Sequence, residues 1–408
     1  MQRTLQTEIH WAKNELYAPL YNPDELVFFQ NEEIEKVHRL QQSHQSFTRT
    51  PLYQLKHLAK HLKVEDIQVK DESFRFGLNA FKVLGGIYAM AKFLADRLGD
   101  KVENLSFEIL KSKKVKRQLG TFTFISATDG NHGRGVAWAA RELGHRSVIL
   151  LPKGSSEKRL AAIRAEGAEA EITDMNYDDT VRLCAEISVE KDWVIVQDTA
   201  WDGYDEIPLW IMQGYASMAK EIVEQLEEKG AKPPTHLFLQ AGVGSFAGAI
   251  TAFMAQFYRE DPPIVIVVEP DKADCYYRSF SNKEGKREIV TGDMFTIMAG
   301  LACGEPNTRA FRILGQYAKA GFSCSDNVAA LGMRLYGNPL KDDPRIISGE
   351  SGAVTLGLVY HLYKNNAYQT IQKELNLNSQ SRILLISTEG DTDPAHYQEV
   401  VWKGLYPN

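Results

Sequence analysis

Four short stretches of this sequence carry residue types that do chemistry. In "FGLNAFKVLGG", residues 76 to 86, Lys82 lies between Phe81 and the pair Val83 and Leu84, so a regular helix or strand would draw its amine into the protein. A buried lysine is costly unless it is paired, neutral or covalently used. With Asn79 as N-cap, Lys82 would fall in the first turn of a helix, where the dipole and partial burial both disfavour the ammonium form. Such an amine suits Schiff-base chemistry, and a lysine that snorkels its head into water is the plain alternative.

The second stretch, "SATDGNHGRG" (126 to 135), crowds Ser126, Thr128, Asp129, Asn131 and His132 into one turn. Its hydroxyls and N–H groups could bind a carboxylate and Asp129 could act as a base, although Asp129 or Asn131 could equally cap the following helix. In the third, "QAGVGSFAGAI" (240 to 250), Gly242 and Gly244 flank Val243 and precede Ser245. The glycines permit a tight turn and close approach, and the helix start offers N–H groups to an anion, so this is a phosphate cradle or a purely structural turn. It has neither the Lys-Ser/Thr of a nucleotide P-loop nor the G-x-G-x-x-G fingerprint, which disfavours ATP and NAD. The fourth, "LLISTEGDTDP" (384 to 394), puts Ser387 and Thr388 at a strand end, where a hydroxyl could meet a heteroaromatic nitrogen or simply cap the turn. Cradle, lysine, polar loop and terminal hydroxyl in conjunction describe a site for pyridoxal 5'-phosphate.

The elements that must position these residues alternate. Strand-like runs IQVKDE (67 to 72), FTFISAT (122 to 128), SVILLP (147 to 152), WVIVQD (193 to 198), HLFLQAG (236 to 242), IVIVVEP (264 to 270) and RILLIST (382 to 388) are separated by longer amphipathic segments. That order predicts an α/β fold of two open domains with mostly parallel twisted sheets. In such folds ligands bind beyond the carboxyl ends of strands, where all four stretches lie.

The chain has 408 residues, 44% hydrophobic and 25% charged, with a formal net charge of -6, which gives no reason to expect nucleic acid or an anionic membrane as partner. A small molecule is the expected ligand. The N-terminal stretch has no apolar signal core, and no run approaches the ~18 apolar residues of a membrane helix, so a soluble, intracellular protein is expected. Cys184, Cys275, Cys303 and Cys324 show no C-x-x-C spacing, which argues against a zinc site, while a Cys275 to Cys303 bridge stays open. The histidines include no convincing metal-binding pair, so no catalytic metal is expected.

The ordered set "NAFKVLGG", "SATDGNHGRG", "AGVGSFAGA", "VEP", "SGESGAV" and "STEGDTD" resembles the fold type II pyridoxal-phosphate enzymes, the tryptophan synthase β group. Within it, Asp129 and the segment "QDTAWDGYDEIPLWIMQGY" (197 to 215) are most similar to the ammonia-lyases of 2,3-diaminopropionate. The resemblance covers roughly residues 30 to 395. It implies that Lys82 bonds the cofactor, Asn131 meets its phenolic oxygen, and Gly242, Val243, Gly244 and Ser245 hold its phosphate. Ser387, slightly preferred over Thr388, would face the pyridine nitrogen.

The implied reaction is α,β-elimination of D- and L-2,3-diaminopropionate to pyruvate and two ammonia, with Asp129 as base for the D isomer. Asp198 would serve the L isomer or read the β-ammonium, and Ser126, Thr128 and Tyr204 would join in substrate binding. Glu350 would begin a helix near the cofactor. A serine/threonine dehydratase of the same fold is the nearest alternative, followed by a non-catalytic small-molecule binder. The resemblance further implies a cytoplasmic homodimer. Its large cofactor-binding domain would comprise residues 1–84 and 216–408, and its small α/β domain residues 85–215.

Overall fold

The computed structural model describes residues 8–19, 23–128 and 130–407, so Asp129 lies outside the described residues. The larger of its two sheets contains β1 (Ile9–Lys13), β2 (Leu52–Gln54), β3 (Asp66–Asp71), β8 (His236–Gln240), β9 (Ile264–Pro270), β10 (Ala318–Cys324) and β11 (Arg382–Ser387). The smaller contains β4 (Thr123–Ala127), β5 (Arg146–Leu151), β6 (Glu169–Ile172) and β7 (Val194–Ile195). The order is β1-β10-β9-β8-β11-β3-β2 in the first and β6-β5-β4-β7 in the second. The five central strands of the larger sheet are parallel and the edges β1 and β2 are antiparallel, while the smaller sheet is parallel throughout. The α/β expectation is met. All four strands of the smaller sheet fall within residues 85–215, and the described strands of the larger sheet fall outside that range.

Central strands are buried on both faces, as in HLFLQ of β8, where every residue is buried, and helices cover the sheet on each side. β10, "AKAGFSC", has no apolar run to announce it. Its small residues are required by packing, since a Cβ on Gly321 would lie 2.9 Å from the Phe280 ring. The run 193 to 198 is shorter as a strand than expected. Only Val194 and Ile195 pair with β4; the Val196 amide still donates to the Ile125 carbonyl, but the Gln197 amide donates to the Tyr204 hydroxyl at 2.8 Å, which turns the chain out of the sheet.

The helix Val83–Leu98 joins the two lobes, and glycines set its position. A Cβ on Gly214 would stand 2.5 Å from the Leu84 carbonyl oxygen, one on Gly85 2.6 Å from Ile211, and one on Gly135 2.8 Å from the Val83 backbone. The helices Asn131–Glu142 and Glu206–Glu228 therefore approach its first turn backbone to backbone. Just upstream, Arg75 donates to Glu72 and Glu221, and Lys70 donates to Glu221 at 2.6 Å, all four side chains being wholly buried. Breaking such a network leaves an unpaired charge in the core, so the chain between β3 and Lys82 is held in one path.

Candidate active site

Lys82 sits immediately before its helix. The helix begins at Val83, with Lys82 in its cap position, and not at Asn79 as expected. Asn79 is engaged elsewhere. Its φ is +60°, its side-chain amide donates to Asp391 at 3.3 Å, and its carbonyl accepts from the Gly390 amide. Phe81, beside Lys82, donates its amide to the Thr388 carbonyl, so Lys82 is stitched to the end of β11.

Lys82 opens into a cleft of about 530 Å³ whose wall also includes Asn131, Asp198, Gln240, Thr388 and Glu389. Its Nζ lies 3.1 Å from Asp198 Oδ2, the two side chains being 13% and 2% exposed. Burial pushes the Asp198 carboxyl up, but the Lys82 ammonium and His132 outweigh it and hold the group down at about 2. The Tyr177 and Tyr215 hydroxyls stand 3.5 Å from its two oxygens. Asp198 is therefore an ionised carboxylate facing a lysine at neutral pH. Its backbone is fixed independently, since its carbonyl accepts from the Ser245 hydroxyl and, at 3.3 Å, from Asn307 Nδ2.

The floor is the turn after β8. Gly244 has φ +89°, and a Cβ there would fall 2.0 Å from the Tyr276 hydroxyl oxygen; a Cβ on Gly242 would meet the Leu301 backbone at 3.1 Å. The turn leads straight into the helix Ser245–Tyr258, whose first amides have no partner within the helix. With the Ser245 hydroxyl donating to Asp198, Ser245 offers an incoming anion its amide first.

Several sequence-selected residues serve the frame instead of the cleft. The Ser126 hydroxyl donates to the Val196 carbonyl at 2.7 Å and to Gln197 Oε1 at 3.0 Å, tying β4 to the turn that presents Asp198. Thr128 Oγ1 accepts from the Gly130 and Gly133 amides, both at 2.8 Å, and so caps the helix beginning at Asn131. The Tyr204 hydroxyl donates to the Ile195 carbonyl at 3.0 Å while its ring stacks on Trp201. Thr388 is in the cleft wall, whereas Ser387 is fully buried behind it with its hydroxyl donating to the Glu389 carbonyl at 3.4 Å.

Glu350 begins the helix Glu350–Lys364 as expected but faces a second cavity of about 1110 Å³, beside His396. Burial, with the charge of Glu389 adding to it, pushes its carboxyl up to about 7. None of the four cysteines forms a disulfide, so the Cys275 to Cys303 bridge is not made, and all four are buried. Among the described residues, one group has metal-ligand spacing, Glu35, His38 and Glu224, and Lys220 Nζ already bonds both its carboxylates at 2.9 Å.

Sequence reasoning missed Tyr215, Gln240, Asn307 and Glu389, which stand alone in otherwise apolar or turn segments with no spacing to mark them. Two buried polar atoms in the cleft wall, Gln240 Oε1 and Ser351 Oγ, have no hydrogen-bond partner among the described residues. With the glycine floor and the lysine, they describe a cavity that accepts a flat, polar, phosphorylated ring, which is what pyridoxal phosphate presents.

The chain belongs to the pyridoxal-phosphate dependent enzymes, whose family profile matches residues 44–385. It is 51% identical over 360 residues to the diaminopropionate ammonia-lyase of Salmonella typhimurium, covering 88% of this chain and 89% of that one. The Escherichia coli K12 diaminopropionate ammonia-lyase is 50% identical over 386 residues, 95% of each chain. The crystal structure of the Escherichia coli enzyme in complex with D-serine matches with a TM-score of 0.90 at 48% identity, covering 98% of both chains.

Proposed function

We propose that this protein is a pyridoxal-phosphate-dependent carbon–nitrogen lyase that converts 2,3-diaminopropionate, as either enantiomer, and one water into pyruvate and two ammonia. The observation that carries this reading is the Lys82–Asp198 pair at the edge of the glycine cradle. Identity of about half to two diaminopropionate ammonia-lyases over most of the chain supports the substrate.

The amides of Gly242, Val243, Gly244 and Ser245 would hold the phosphate, Lys82 would hold the cofactor covalently, and Asn131 would meet its ring oxygen. Thr388, which lines the cleft, would be the hydroxyl for the pyridine nitrogen in preference to Ser387. When bound, pyridoxal phosphate supplies the electron sink that makes the Cα proton acidic.

The chain's own contribution is proton management and charge recognition. The substrate differs from serine in carrying a second ammonium, and ionised Asp198 is the complementary charge. Once Lys82 no longer presents a free ammonium to it, burial is opposed mainly by His132 and the proton affinity of Asp198 rises. The same carboxylate then suits acceptance of a proton from Cα. Asp129 would serve the opposite enantiomer from the opposite face, a role that rests on the resemblance of "ATDGNHG" alone.

The test is pyruvate release by the purified protein with D- and L-2,3-diaminopropionate and with D- and L-serine at equal concentrations. Fast turnover of both diaminopropionates with slow serine turnover is expected; preference for serine or threonine would make the protein a dehydratase. The reading includes a cytoplasmic homodimer, and a light-scattering mass of twice 46.0 kDa checks the dimer. No helix among the described residues is long and apolar enough to cross a membrane.

A further inference from the structure

Glu389 has no part in the proposed reaction, yet its side chain stands in the cleft wall, 5% exposed, and accepts a hydrogen bond from Asn131 Nδ2. We propose that Glu389 is a positioning residue. By holding one N–H of the Asn131 amide, it turns the other toward the cleft, where the ring oxygen of the cofactor needs a donor. This rests on the reading of the cleft as a pyridoxal-phosphate site.

An asparagine amide has two flips of nearly the same shape, and only one presents N–H groups in a given direction. Reversing Asn131 would set its Oδ1 against the Glu389 carboxylate, acceptor against acceptor. Glu389, as the acceptor of that bond, therefore selects the donor-forward flip. The carboxylate can act this way because its own backbone is fixed. Glu389 forms an antiparallel bridge with Ala80, and its carbonyl accepts from the Gly349 amide at 2.9 Å. The Phe81 amide donates to the Thr388 carbonyl next door.

Glu389 is thus anchored to the segment that ends in Lys82, whereas Asn131 begins a helix packed on the smaller sheet. Their hydrogen bond crosses from one lobe to the other over the cleft. Without it, the Asn131 amide would sample both flips and lose the charge-assisted partner that polarises its N–H. Affinity for the cofactor falls with the competent fraction.

The experiment returns pyridoxal phosphate to cofactor-stripped wild type, Asn131→Ala, Glu389→Ala, Glu389→Gln and the Asn131→Ala/Glu389→Ala double variant. It reads the dissociation constant and the position of the visible absorbance band, with kcat and KM on the loaded enzymes. Each alanine variant is expected to weaken binding about tenfold, the size of one such hydrogen bond, and to shift the band in the same direction. The double variant should bind within about twofold of Asn131→Ala, because Glu389 acts through Asn131. Glu389→Gln, whose amide oxygen still accepts, should recover part of the affinity.

Additive losses in the double variant, or a Glu389→Ala protein with wild-type affinity and spectrum, would overturn the proposal. Should Glu389→Ala not fold, Glu389→Gln with and without Asn131→Ala makes the same comparison. A wild-type protein that takes up no cofactor would overturn the reading of the site itself, and this proposal with it.

Discussion

Replacing Lys82 with methionine should reverse the pH dependence of stability at one buried carboxylate. In the wild type, burial raises the affinity of Asp198 for a proton, and Lys82 and His132 together more than offset it, leaving a pKa of about 2. An unfolded aspartate titrates at about 3.9. Asp198 thus stabilises the fold above about pH 4 and loses that contribution as pH falls toward 2, a difference of about 3 kcal/mol.

Removing an ammonium 3.1 Å away deletes an attraction of about 5 kcal/mol at an effective dielectric of 20. Burial, the largest single influence, is then opposed chiefly by His132, 3.9 Å away, with the Tyr177 and Tyr215 hydroxyls beside it, and the folded pKa is expected to rise above the unfolded one. The variant loses stability as pH rises through that value. Breaking a buried pair costs about 3–5 kcal/mol, so the gap between wild type and Lys82→Met should have that size near pH 8 and narrow steadily in acid. Urea unfolding of both cofactor-free proteins from about pH 4 to about pH 8 measures it. A gap that does not change with pH would refute the pairing, and with it the claim that Asp198 gains proton affinity when the lysine is otherwise engaged.

Three further outcomes follow from the same geometry. Gly244→Ala puts a Cβ where the Tyr276 hydroxyl lies, on a backbone with φ +89°, so it should lose about 2–4 kcal/mol in thermal melts and fail to gain stability from added pyridoxal phosphate. Tyr204→Phe leaves the Gln197 amide without its acceptor and should cost about 1–3 kcal/mol in unfolding free energy, with KM for diaminopropionate unchanged because the hydroxyl points into the turn. Asp129→Asn should depress turnover of the D isomer by at least about 100-fold while sparing the L isomer, whereas Asp198→Asn should depress both and the L isomer more, as read by pyruvate release from each enantiomer.

Much of the frame was legible because parallel strands buried on both faces advertise themselves as Val/Ile/Leu runs, as 264 to 270 and 382 to 387 do. Strands built from small residues do not, which is why β10 passed unseen. Lys82, Asp198, Asn131 and the glycine turn stood out as unusual residues at strand ends, where cleft residues collect. The Ser126, Thr128 and Tyr204 hydroxyls bond neighbouring protein groups, a placement the sequence does not reveal for one shared reason. A hydroxyl at a strand end looks the same in sequence whether it faces a ligand or a neighbouring carbonyl, and only the path of the chain from 195 to 204 decides. Glu389 was invisible for the opposite reason, as an acidic residue in a short acidic turn reads as solvated surface.

The Asp198 main chain is gripped by groups that ignore its side chain: the Ser245 hydroxyl and Asn307 hold its carbonyl, and the Tyr204 hydroxyl takes the preceding amide. Position 198 is therefore a socket, whose place in space survives a change of occupant. A lineage with this architecture can exchange the side chain that faces Lys82 without rebuilding the loop that carries it. A new charge or hydrogen-bonding group at that point of the cleft comes within reach of a single substitution, while the glycine turn in the same wall stays as it was.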